Sequence, residues 1–148
     1  MKTIAILSAQ HQDVLSRLAA FDAQPSVTSN ADPTALAAYL ENEVVHHFTL
    51  EEHALFPVLA GHERLAHGPL QVMNSEHAEF RALLDRLRTA VRANDHEAQR
   101  AHTAELATLL RMHIMKEEHV LFPMAAQVLS ADEQRDVDAR AAELNSSS

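Results

Sequence analysis

Two short segments hold most of the chemistry available to this 148-residue chain. His47 stands four residues before Glu51, and His113 stands four residues before Glu117. On a helix that spacing puts imidazole and carboxylate one turn apart on the same face. A lone histidine precedes each pair by the same interval, His11 before His47 and His77 before His113. Burying two bare carboxylates among neutral imidazoles is costly unless cations compensate, and a pair of metal ions would do so directly. Four imidazole nitrogens and two carboxylates form a borderline donor set suited to iron, with manganese or zinc less favoured. The expected metal ligands are therefore His11, His47, Glu51, His77, His113 and Glu117.

The natural arrangement gives each metal two histidines, with Glu51 and Glu117 bridging both ions. Either pairing of the histidines satisfies the spacing. Coordination would be incomplete, with room for a bridging oxo or hydroxo group and for an exogenous ligand such as O2, peroxide or NO. Glu43, one turn before His47, and Glu76 are alternative donors. His53 and His119 point away from the ligand face and are expected in contacts between helices or just outside the ligands. His46 reads as a surface residue, and His62, His67, His96 and His102 as solvated side chains in loops or near helix ends. Phe56 and Phe122 are expected to pack at the end of the bundle or to wall off the metals. Tyr39, two turns from His47, is too distant to be a ligand.

These residues need helices to carry them, and the composition agrees. Two glycines, no cysteine and an apolar fraction of 47% favour one all-α domain with a real core. Helix 1 is expected over about residues 3 to 22, with Ile4, Leu7, His11, Val14, Leu15, Leu18 and Phe21 along one face. The stretch 24–30 reads as a loop. Asp32 caps helix 2 with Pro33 in its first turn, and the helix runs towards Ala60. Residues 61–68 form a break, and Pro69 opens helix 3, which ends near Arg92. A capping box of Asn94 and Glu97 starts helix 4, with a core stripe of Leu106, Leu109, Leu110, His113, Glu117, Val120 and Leu121. Ser130 with Glu133 starts a short final helix. Pro57 and Pro123 should kink or end their helices locally.

An ungapped offset of 66 residues, from 11 to 77 and from 47 to 113, superimposes the first half of the chain on the second. Glu51-Glu52-His53 falls on Glu117-Glu118-His119, and Leu55-Phe56-Pro57 on Leu121-Phe122-Pro123. Each half is thus a helical hairpin, and two hairpins make an up-down four-helix bundle with a pseudo-two-fold axis and a short C-terminal fifth helix. The domain is expected over residues 1–144, with 145–148 as a disordered tail.

A formal net charge of -9 argues against nucleic acid or an anionic membrane as partner. The lack of cysteine excludes disulfides, thiolate sites and iron–sulfur ligation. The apolar start of the chain is too short for a secretion signal, so a cytoplasmic protein is expected. No acid, base or nucleophile stands apart from the ligands, so only very small substrates are expected. Whether the chain is an enzyme stays open. The competing readings are an iron- or oxygen-sensing or iron-handling module with a redox or signalling partner, and a metal-free bundle that would leave the repeated pairs unexplained.

The segments 47–57 and 113–123, each His-x-x-x-Glu-Glu-His-x-Leu-Phe-Pro, resemble the paired signature of hemerythrin-like, or HHE cation-binding, domains. His77-Ala78-Glu79-Phe80 is similar to the third-helix signature, and His11 matches the first-helix ligand. The resemblance covers about residues 4 to 129. It implies a di-iron site in a helical bundle, with roles in oxygen binding, iron or oxygen sensing, or responses to oxidative or nitrosative stress. One departure counts against simple oxygen carriage. Oxygen-carrying members have a further histidine one turn before the third-helix ligand, where this chain has Met73, and the matching first-half position is Leu7.

Overall fold

A computed structural model describes residues 1–23 and 32–147; the expected loop at 24–30 and the terminal Ser148 lie outside the described residues. The described chain forms α1 (Lys2–Ala23), α2 (33–59), the single turn α3 (Glu63–Ala66), α4 (Pro69–Arg92), α5 (96–128) and α6 (Ala131–Ser146), with no strand among the described residues. Helices α1, α2, α4 and α5 make the expected bundle, and α6 is the fifth helix. The expected break at 61–68 contains α3, whose Leu65 is fully buried. The last helix runs to Ser146, past the predicted boundary at 144, and Ser146 and Ser147 hydroxyls donate to the Glu143 carbonyl.

Local sequence explains most helix ends. The Asp32 carboxylate accepts the Thr34 amide with Pro33 in the first turn, and Ser130 and Glu133 form the reciprocal box at the start of α6. The junction of α4 and α5 departs from expectation. Asn94 has a left-handed backbone, φ 52°, and closes α4 rather than opening α5. Its amide bonds to the Val91 carbonyl and the Asp95 amide to Ala90, the pattern of a left-handed helix stop. Asp95 is then the cap of α5, accepting from the Ala98 amide.

Neither proline ends its helix. Residues Glu51–Leu55 and Glu117–Leu121 form π-helical turns, in which the amides of Phe56 and Phe122 reach back five residues to the carbonyls of Glu51 and Glu117. A widened turn gives the proline ring one residue later the room that a regular turn would deny it. It also changes which residues face inward. Val120, predicted in the core stripe, is 48% exposed, while Leu121 is buried. With more residues per turn, the position four after Glu117 returns to the core and the position three after it does not. A further π turn, Leu40–Val44, lies in α2, whereas the matching stretch of α5 is regular α-helix.

Two apolar clusters fill the bundle. One joins Leu7, Leu55, Phe56, Met73, Leu121 and Phe122 to Val137 and Ala141 of α6. The other joins Val14, Val44, Phe48, Phe80, Leu110 and Ile114. The six predicted ligands occupy the layer between them, since along each helix they separate residues of the first cluster from residues of the second. Hydrogen bonds from the Thr3 amide and hydroxyl to Asp138 tie the start of α1 to α6.

Candidate metal centre

All six predicted ligands are buried together. His11, His47, His77 and His113 are each at most 3% exposed, and Glu51 and Glu117 are fully buried. Each helix contributes at one level: His11 from α1, His47 and Glu51 from α2, His77 from α4, His113 and Glu117 from α5. The donor atoms form two overlapping groups that could hold a metal ion, His11 with His47, Glu51 and Glu117, and Glu51 with His77 and His113; within each group they lie within 4.8 Å of one another. Of the pairings left open by the spacing, the structure brings each hairpin's own two histidines together.

The carboxylates span both groups. Glu51 places Oε1 3.1 Å from His47 Nε2 and Oε2 3.0 Å from His77 Nε2. Glu117 Oε1 lies 3.1 Å from Nε2 of both His11 and His113. The outward nitrogens fix the tautomers. His11 Nδ1 is 2.6 Å from Glu118 Oε1, His77 Nδ1 3.1 Å from Glu52 Oε1, His113 Nδ1 2.9 Å from Glu76 Oε1, and His47 Nδ1 2.8 Å from Gln10 Oε1. Ionised carboxylates and an amide oxygen only accept, so each Nδ1–H donates outward, and each neutral ring, the form that binds a metal, turns its Nε2 lone pair inward. With neutral rings and ionised carboxylates, the protonation a metal requires, the core is one of acceptors facing acceptors. Both oxygens of Glu51, Oε2 of Glu117 and Nε2 of His77 and His113 are buried with no hydrogen-bond partner. Buried polar atoms in native folds are rarely left so, and cations at the centre would satisfy all five. The donor set fits metal ions.

In the metal-free site protons take up part of this mismatch: burial lowers His113, but its contacts with Glu117 and Glu76 outweigh that and raise its pKa. Burial and the charge of Glu117 raise the Glu51 pKa well above the ordinary carboxylate value. Burial pushes Glu117 upward too, but contacts with Glu51, His11, His113 and His47 outweigh it and hold Glu117 well below that value. Burial, helped by the neighbouring His113, lowers His77 to about 4, so its imidazole is neutral at neutral pH. Burial likewise lowers His47.

Several neighbours depart from expectation. His53 and His119 are exposed and take no part; the outer contacts belong to Glu52 and Glu118, one residue earlier in each repeat. Glu43 is exposed, and Glu76 points its carboxylate to the outer nitrogen of His113 and to Lys116. His62 is bonded to Glu133 of α6 at 2.9 Å rather than simply solvated. Phe122 stacks on His11, with ring centres 5.6 Å apart, and Phe56 on His77 at 5.5 Å, so both wall the site. Sequence reasoning missed Phe48, whose ring lies flat on His77 at 3.7 Å, and Gln10. The repeat could have revealed Glu52 and Glu118 as outer partners, but Gln10 carries no such signal. Met73 and Leu7 are buried in the apolar cluster beside the site. On the opposite side, a cavity of about 10 Å³ touches His11, His47 and His113 between Val14, Val44, Phe48, Leu110 and Ile114.

The family profile of the hemerythrin HHE cation-binding domain matches residues 2–125. An uncharacterized protein of Mycobacterium tuberculosis is 30% identical over 133 residues, covering 86% of this chain and 51% of that protein, and one of Mycobacterium bovis matches equally. The iron-sulfur cluster repair protein YtfE of Musicola paradisiaca is 35% identical over 108 residues, covering 65% of this chain and 49% of that protein. The chain spans about half the length of these relatives. No solved structure matches.

Proposed function

The chain belongs to the hemerythrin HHE cation-binding domain family, and from that premise we propose that its buried cluster holds two iron ions and reacts with O2, peroxide or NO. The observation that supports this most is the set of five inward-facing, partnerless acceptor atoms on Glu51, Glu117, His77 and His113. Manganese and zinc suit part of the donor set, but iron is favoured by the mixture of imidazole and carboxylate. Bound iron would supply redox and Lewis-acid chemistry that no side chain here provides. The chain's own residues position and restrict. Glu51 and Glu117 supply negative charge between the histidine pairs, and the outer acceptors hold each ring in place. Leu7 and Met73, one turn before His11 and His77, add no further imidazole, so a bound metal would keep room for an added ligand. The small apolar cavity beside His11, His47 and His113 has room for about one water-sized molecule and would exclude anything much larger. The setting we propose is cytoplasmic, under oxidative or nitrosative stress.

Iron handling without turnover is the second reading, and the identity to a protein named for iron-sulfur cluster repair favours it. Two measurements separate the readings. Azide added to the iron-loaded protein should shift its visible absorption, because a coordination position is open; an unchanged spectrum would refute the open site. Peroxide should disappear faster with the wild type than with Glu117→Ala at equal protein concentration. Equal rates would favour sensing or iron handling over catalysis.

A further inference from the structure

The inner residues of the two halves repeat, and each histidine pair touches both Glu51 and Glu117 at 3.0–3.1 Å, although the His11/His47 group alone gathers both carboxylates within 4.8 Å. The groups behind them differ. Under the 66-residue offset, the contact of Glu118 with His11 maps onto that of Glu52 with His77, and the contact of Glu76 with His113 maps onto that of Gln10 with His47. Three outer partners are carboxylates and one is a neutral amide. A carboxylate accepting Nδ1–H draws the proton towards itself and makes Nε2 a better donor; a neutral oxygen does so less, because a charged acceptor makes roughly twice as strong a hydrogen bond.

The anchoring differs as well. Arg81 grips both oxygens of Glu52, at 2.7 and 3.0 Å, and Lys116 holds Glu76 Oε2 at 2.5 Å. The positions matching Arg81 and Lys116 in the other half are Leu15 and Leu50, and Glu118 has the Ser8 hydroxyl at 3.2 Å instead. Arg81 and Lys116 are each 40% exposed, so solvent screens their charge while their hydrogen bonds still fix the carboxylates. The short contact from Glu118 supports His11 strongly. His47 is therefore the one donor whose outer partner is neutral.

We propose that Gln10 is a positioning residue that makes the two metal subsites unequal, with the His11/His47 subsite binding its metal more weakly than the His77/His113 subsite. The proposal rests on the two-metal reading above. Its consequence is a protein that passes through a state with one metal bound when metal is scarce.

The test is anaerobic titration of the metal-free full chain with Co(II), read by visible absorption, with circular dichroism to confirm that each variant is folded. The wild type should take up two Co(II) ions in two steps separated by about 10-fold or more in affinity, the lower end of what outer partners contribute. Gln10→Glu should tighten the weaker step and narrow the gap. Glu76→Gln should weaken the tighter step, and it carries the test by itself should Gln10→Glu not fold. Two equal steps in the wild type, or an unchanged gap in the folded variants, would overturn the inequality and leave the two-metal reading standing. No Co(II) uptake by the wild type would overturn both.

Discussion

Glu51 faces opposite demands with and without metal. In the metal-free fold, burial and the charge of Glu117 hold its pKa well above the ordinary 4.5. The folded chain then keeps a proton that the unfolded chain has lost, so this group's contribution to stability is full below about pH 4.5 and declines as pH rises towards the folded pKa. Glutamine copies the neutral acid and removes that loss. Glu51→Gln should therefore raise the melting temperature of the metal-free protein at pH 7 by a few degrees, at roughly 2–4 °C per kcal/mol, while sharply lowering its metal content. A lower melting temperature in the metal-free variant would contradict this account of Glu51 as a buried carboxyl that keeps its proton. The six inner residues were legible in the sequence because a ligand set repeats: chance apolar periodicity does not match histidines and glutamates at one offset. Gln10 and Phe48 were not legible, because each is where the repeat breaks; their counterparts are Glu76 and Ile114.

Helix boundaries were readable wherever a side chain satisfies the backbone beside it, as at Asp32 and Ser130. They were misread between α4 and α5, where Asn94 and Asp95 are both plausible caps and only the backbone angles decide. Asp95→Ala should cost about 1 kcal/mol of stability in urea unfolding, the usual worth of a cap, and leave metal content unchanged because the cap lies at the far end of α5 from Glu117. A matching loss of metal would mean that the start of α5 is coupled to the site. The π turns were not legible, since hydrogen-bond register depends on packing around the turn as much as on the turn's own residues. Their placement explains why the prolines are tolerated and why Val120 faces outward.

Across the whole bundle, an ionisable layer lies between two apolar clusters, and each cluster is closed by large side chains from all four long helices. The up-down topology was legible because two hairpins of equal spacing can bring six ligand-type residues to one level only when packed as a bundle. The role of α6 was not, since its contacts through Val137, Ala141 and Asp138 depend on where the first bundle end lies. Such a layer is unfavourable by itself and becomes favourable with cations, so metal binding and folding stability should rise together. The most direct test is elemental analysis of the full chain purified under iron-replete conditions. About two irons per chain are expected, falling below one in His113→Ala. Well under one iron per chain in the wild type, with no other metal in its place, would contradict the metal centre itself; stoichiometric zinc or manganese would contradict its assignment to iron.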